Sequence, residues 1–235
     1  MPIAISEWGL AGIEALRDRV SVLVIVDVLS FSTAVDVAVS RGAMVYPFAY
    51  GDLDAARAAA ERVGATLAQP RRVAGGQLSL SPVSLATLAQ GSKVMLPSPN
   101  GSRLSLACGA TPVLAGCLRN AAAVARAAKA LAGAGSIGVI PAGERWPDDS
   151  LRPAIEDLLG AGAILHHLDL PCSPEAQVAR DAYRTAGSET AALIRGSVSG
   201  RELVDAGFAG DVEMAVDQGA SAQAPMLVNG AYRCE

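Results

Sequence analysis

Short, unbroken apolar runs alternate along this chain with alanine-rich stretches, and that alternation constrains its fold more than any other feature. The runs fall at residues 3–6, 20–26, 43–48, 65–68, 93–96, 112–115 and 136–141. Most are apolar at every position rather than at every second one. A strand with that pattern is covered on both faces, as strands of a parallel sheet are. The stretches between them read as helices. Ser32 stands ready to cap residues 33–41, closed by Gly42, and Asp52 to cap residues 53–63, closed by Gly64. Residues 102–107 end before Gly109, and residues 120–131 before Gly133. Strand and helix in this order predict an α/β fold: a three-layer αβα arrangement around a mostly parallel sheet with right-handed crossovers.

Beyond residue 140 the strand signal fades. Residues 153–168, 174–195 and 200–216 read as helices and turns, so a helix-rich part from about residue 142 is expected to pack on the same sheet. A length of 235 residues suits one α/β domain spanning residues 1–235. Hydrophobic residues make up 51% and charged residues 18%, which excludes a disordered chain.

The balance of 19 basic against 23 acidic residues gives a net charge of −4 and argues against a nucleic-acid partner. The most apolar run, residues 20–29, already contains Asp27 and falls well short of the roughly 18 residues a membrane span needs. The N-terminal MPIAISEWGL lacks a basic segment and carries Glu7, so no signal peptide is expected. Cys108, Cys117, Cys172 and Cys234 form no Cys-x-x-Cys pair, and none begins a Cys-x5-Arg phosphate loop. Reduced thiols in a cytoplasmic protein are expected.

Ligands of open parallel sheets bind beyond the carboxyl ends of the strands. Three strand ends carry polar residues there. In VLVIVDVLSFST, Asp27 closes a buried run, and Ser30, Ser32 and Thr33 open the next helix. A carboxylate in that place needs a cation or hydrogen-bond donors. It reads as a metal ligand or nucleophile, or else as a cap on the turn. In KVMLPSPNGS, Asn100, Gly101 and Ser102 lead into a helix and suit either an anion site or an ordinary turn. In IGVIPAGERW, Glu144 and Arg145 follow the last clear strand, and Glu156 and Asp157 open the helix beyond. Asp27, Glu144 and one of Glu156 or Asp157 would offer the oxygen ligands of a hard divalent ion. Asp211, in GDVEMAV, reads as a further ligand or a turn acid. His166 and His167 are adjacent rather than four apart on a helix, and read as core-edge residues; Trp8 and Trp146 read as packing.

The segments VIVDVLSFST, PNGS, CLRNAAAVA, PAGERW, AIEDLLGAGAIL and SGRELVDAGFAGDVEMA, in this order, resemble the 2-phosphosulfolactate phosphatase family. The resemblance implies a doubly wound αβα fold and Mg²⁺-dependent hydrolysis of a phosphate ester on a small acidic compound, the chemistry of sulfolactate and coenzyme M biosynthesis. It implies a site at Asp27, Asn100, Gly101, Ser102, Asn120, Glu144, Glu156 and Asp157, joined by Arg201 and Asp211. On this reading Asp27, with Glu156 or Asp157 and with Asp211, holds Mg²⁺. Ser32, Asn100, Ser102 and Asn120 bind phosphate oxygens, and Arg145 and Arg201 bind the acid group. The expected partner is a small phosphoester, with no nucleic acid or membrane, in a possible homodimer. Where the family carries Arg after Asp-Val-Leu this chain has Ser30, and where it carries Glu this chain has Pro70, leaving Arg71 or Arg72 to supply a guanidinium. A haloacid-dehalogenase-like aspartyl-phosphate mechanism would need a second Asp close behind Asp27, which is followed by Val28 and Leu29. An anion-binding protein on the same fold is the non-enzymatic alternative.

Overall fold

The structure is a computed structural model that describes residues 1–71, 75 and 77–234. Each of the seven apolar runs holds a strand: β1 (Ala4–Ser6), β2 (Val22–Val26), β3 (Met44–Ala49), β4 (Thr66–Leu67), β5 (Lys93–Ser98), β6 (Val113–Gly116) and β7 (Ile137–Pro141). Between them lie α1 (Gly9–Leu16), α2 (Phe31–Ser40), α3 (Leu53–Val63), α4 (Pro82–Leu85), α5 (Gly101–Ala107) and α6 (Ala121–Ala132). A hairpin, β8 (Glu144–Arg145) and β9 (Leu151–Arg152), leads into α7 (Ile155–Leu168), α8 (Pro174–Ala186), α9 (Thr190–Gly196), α10 (Val198–Asp205) and α11 (Ala209–Ala215). The chain closes with β10 (Met226–Val228) and β11 (Ala231–Arg233).

The main sheet runs β1-β7-β2-β6-β10-β11-β3-β5-β4. It is mostly parallel: β1-β7-β2-β6 and β3-β5-β4 are parallel blocks. The β10–β11 hairpin joins them through antiparallel pairings. Every residue of β2 and β7 is buried, which is why their runs read as continuous. Along β2, Val22, Val24 and Val26 pack with α6, α7 and α8, while Leu23 and Ile25 pack with α1, α2 and α5. Alternation across the strand thus feeds two cores, one on each face, and makes three layers. Val94 and Leu96 of β5 share the core of Leu23 and Ile25. The sheet therefore wraps around α2 and α5, and the end of β5 comes back against the end of β2.

One expectation about local structure changes. Helix α2 begins at Phe31, and Ser32 does not cap it: its Oγ donates 3.0 Å to the Ile25 carbonyl. The helices and turns expected over 174–195 and 200–216 are present, with turns at Gly187, φ of 48°, and Gly207, φ of 88°. The terminal hairpin went unforeseen although Asn229-Gly230 is a strong signal for one. Both residues have positive φ, 51° and 81°, as a two-residue turn between Val228 and Ala231 requires. Asp52 does cap α3, accepting 2.8 Å from the Ala55 amide.

Candidate active site

The site grows from the turn after β2. The Asp27 carboxylate, 5% exposed, accepts from the Phe31 amide at 3.0 Å with one oxygen. Its other oxygen accepts from the Gly101 amide at 2.9 Å, across to the loop after β5. Asp27 is therefore both the cap on its own turn and the tie between two strand ends. Gly101 makes that approach possible: a Cβ there would stand 2.2 Å from Cδ1 of the fully buried Phe31. Gly101→Ala is expected to push α5 away from α2, break the Gly101–Asp27 bond and cost about 1–3 kcal/mol as overpacking does. A thermal melt checks this, and an unchanged melting temperature would show that α5 moves freely.

Helix α7 adds a second tie. One oxygen of Asp157 accepts from the Val28 amide at 2.7 Å and the other from the Gly143 amide at 2.8 Å. The loops after β2 and β7 are thus locked to the start of α7. Beside Asp157, Glu156 is 2% exposed and makes no side-chain hydrogen bond among the described residues. Glu144 accepts 3.0 Å from the Asn100 amide nitrogen and sits across the β8–β9 hairpin from Arg152. Asp27, Asn100, Gly101, Glu144, Glu156 and Asp157 come together in this way.

Gathering four carboxyls out of water has the expected electrostatic result. Burial, and next the charge of Asp27, push the Glu144 carboxyl up to about 7, against the Asn100 hydrogen bond. Burial, reinforced by Asp27 and Glu156, holds Asp157 well above the ordinary carboxylate range. Burial also raises Asp27, opposed by its two backbone amides.

A cavity of about 470 Å³ opens beside the cluster, with Glu144 and Arg71 in its wall. Arg71 Nε donates 3.1 Å to Asp211, and Nη2 donates to the Leu80 carbonyl at 3.3 Å and to the Ser30 hydroxyl. Its guanidinium also lies 5.5 Å from the Phe208 ring centre. The Ser81 hydroxyl holds the other oxygen of Asp211. The second cation near the cluster is Arg152, which reaches Ser199 at 3.4 Å and Glu202 at 3.7 Å. Sequence reasoning missed Arg152. The signal was the Pro147–Ser150 turn, which folds β9 back so that residue 152 faces residue 144.

Several expected site residues lie elsewhere or have other tasks. The Ser32 and Ser102 hydroxyls are spent on the carbonyls of Ile25 and Leu96. Asn120 accepts from the Cys117 amide at 2.8 Å and donates to the Ala115 carbonyl at 3.2 Å. These three side chains hold strand ends. Arg145 pairs with Asp149 and, with Asn100 and Glu144, lines a second cavity of about 220 Å³. Arg201 is exposed on α10 and is not among the described residues that line the cavity. Asp211 is taken up by Arg71 and Ser81, so it anchors a guanidinium. Arg72 lies outside the described residues.

The donor chemistry suits a hard divalent ion, since every acid in the cluster offers oxygen. The oxygens of Asp27 and Asp157 already accept one amide each, and Glu144 and Glu156 keep the most free capacity. Among the described residues, no group of three or more His, Cys, Asp or Glu side chains is close enough to hold a metal ion.

Carboxyls gathered at strand ends of a mostly parallel αβα sheet, with a fixed guanidinium beside them, stand where α/β proteins place their ligand sites. Residues 12–230 match the family model described as 2-phosphosulpholactate phosphatase, and the chain belongs to that family. It is a phosphoric monoester hydrolase. No curated protein matches the chain. Among the described residues, no helix is long and apolar enough to cross a membrane.

Proposed function

We propose that the protein is a Mg²⁺-dependent phosphatase that cleaves the phosphate monoester of a small acidic compound, of 2-phosphosulfolactate type, in the cytoplasm. The observation that carries this reading is the cluster of Asp27, Glu144, Glu156 and Asp157 at the ends of β2, β7 and α7, next to Arg71. Asp27 and Glu156 would hold the ion, which would neutralise charge on the phosphoryl group when bound. Asp157 keeps the loops of Asp27 and Gly143 in register. Arg71 receives the acid group of the substrate. The four free cysteines, of which Cys108 and Cys117 are buried, support a reducing compartment.

Glu144 is the proton carrier of this scheme. It borders the cavity, and its carboxyl, pushed up to about 7, holds or releases a proton near neutral pH. It can take the proton of the attacking water or return one to the leaving oxygen. The Asn100 amide fixes which way the carboxyl points. The test is turnover of a generic aryl phosphate with Mg²⁺ against EDTA. Turnover in Mg²⁺ alone is expected, and Glu144→Gln is expected to lower it by about 10²–10⁴-fold. No turnover of any phosphoester with Mg²⁺, Mn²⁺ or Co²⁺ would overturn the reading.

A further inference from the structure

The cavity beside the cluster is larger than a three-carbon compound requires, and its walls tell what would fill it. At about 470 Å³ it falls in the roughly 300–1,000 Å³ range that encloses drug-sized ligands. Its lining includes Tyr50 before α3, Leu53 at the start of α3, Leu203 of α10 and Phe208 before α11. Tyr50 and Leu53 stay 58% and 43% exposed, apolar surface that the chain itself leaves uncovered. Apart from Arg71, the charged side chains among the described lining residues are Glu144 and Glu202. Arg152, which pairs with Glu202 at 3.7 Å, is not among the described lining residues, so Arg71 is the cation that the described lining offers an anion.

Arg71 is built as a receptor. Asp211, Ser30 and the Leu80 carbonyl fix its guanidinium, and Phe208 lies against it. Its Nη1 makes no hydrogen bond among the described residues. A guanidinium held this firmly loses little freedom on taking a carboxylate.

Resting on the phosphatase reading, we propose that this site hydrolyses 2-phosphooxy acids that carry an aryl or branched alkyl group. The carboxylate lies on Arg71, and the apolar group lies against Tyr50, Leu53, Leu203 and Phe208. Water attacks phosphorus and the phosphorus–oxygen bond to the ester breaks. The leaving oxygen takes a proton, and the products are a 2-hydroxy acid and inorganic phosphate. Arg71 and the apolar walls set specificity.

The test compares 2-phospholactate, its 3-phenyl and its 3-sulfo derivatives as substrates with Mg²⁺. The phenyl compound is expected to exceed 2-phospholactate in kcat/KM by about tenfold or more. Leu203→Asp is expected to shrink that ratio by about tenfold. Arg71→Gln, made together with Asp211→Asn so that no buried acid is left unpaired, is expected to lower the rate on the phenyl acid relative to phenyl phosphate by about ten- to a hundredfold. A merely structural Arg71 would lower both substrates alike. Calorimetry with 3-phenyllactate and lactate reads the cavity without turnover, and tighter binding of 3-phenyllactate is expected. If no ester is cleaved, the phosphatase reading falls, and calorimetry still decides the cavity. Equal binding of the two hydroxy acids, or a sulfo compound preferred over the phenyl one, would overturn the proposal.

Discussion

Asp27→Asn and Glu156→Gln should both lower turnover sharply, yet only the first should cost stability. Each removes a carboxylate from the proposed ion site, and losing a charge of this kind lowers kcat by about 10²–10³-fold or more. Their other tasks differ. Asp27 accepts from two backbone amides, Phe31 and Gly101. Asn has one acceptor oxygen, so its NH₂ would confront a second N–H donor. A buried donor left without a partner costs about 1–3 kcal/mol, and each kcal/mol moves the melting temperature of a chain this size by about 2–4 °C. Glu156 makes no side-chain hydrogen bond among the described residues and sits among like charges. Its replacement by Gln removes repulsion and should leave the metal-free protein as stable as before, or more so. The measurements are kcat at saturating Mg²⁺ and thermal melts in EDTA. Full turnover in both variants would remove these acids from the chemistry. A melting temperature that falls as far in Glu156→Gln as in Asp27→Asn would mean that Glu156 also holds the fold.

The contrast between those two acids shows what could be read from the sequence and what could not. The parallel strands were legible because β2 and β7 are buried at every position, and nothing but a two-sided environment produces such runs. Asp27 was legible as an anomaly, a charge ending one of them. Its double role was not, because capping and ion binding use the same oxygens. The same ambiguity covers Ser32, Ser102 and Asn120. A small polar residue at a helix start serves a carbonyl, an amide or a phosphate with equal ease, and only the position of the partner decides. The arginines were legible in part. Arg145 follows Glu144 directly and lines with it a second cavity. The guanidinium opposite Glu144 on the hairpin comes from Arg152, brought there by a register that a linear reading passes over. Arg71 was visible only as a candidate, since its pedestal of Ser30, Leu80 and Asp211 draws on three distant parts of the chain.

The stability gained from Mg²⁺ should grow with pH. In the metal-free protein, Glu144 is raised from 4.5 to about 7, and Asp27 and Asp157 are raised above 3.8. A carboxyl whose folded pKa lies above its unfolded one favours the folded state while it is protonated. That contribution is complete below the unfolded value and is lost as pH rises through the folded value. For Glu144 the loss runs from about pH 4.5 to about pH 7. Above that window Glu144 is ionised and repelled by Asp27, and Arg71 is already paired with Asp211. A divalent ion is then most strongly favoured, because it need not displace protons. At about a hundredfold excess over its Kd, Mg²⁺ should add about 2.7 kcal/mol, or about 5–10 °C in melting temperature for a chain of this length. At pH 5 it must compete with protons on the same oxygens, and the increment should shrink to a small part of that. Thermal melts with Mg²⁺ and with EDTA, at pH 5 and pH 8, measure the difference directly. Glu144→Gln should flatten the pH dependence in EDTA, because it removes the group that titrates within this window. An increment of equal size at both pH values would place the ion away from these carboxyls, and no increment at either would remove Mg²⁺ from the site.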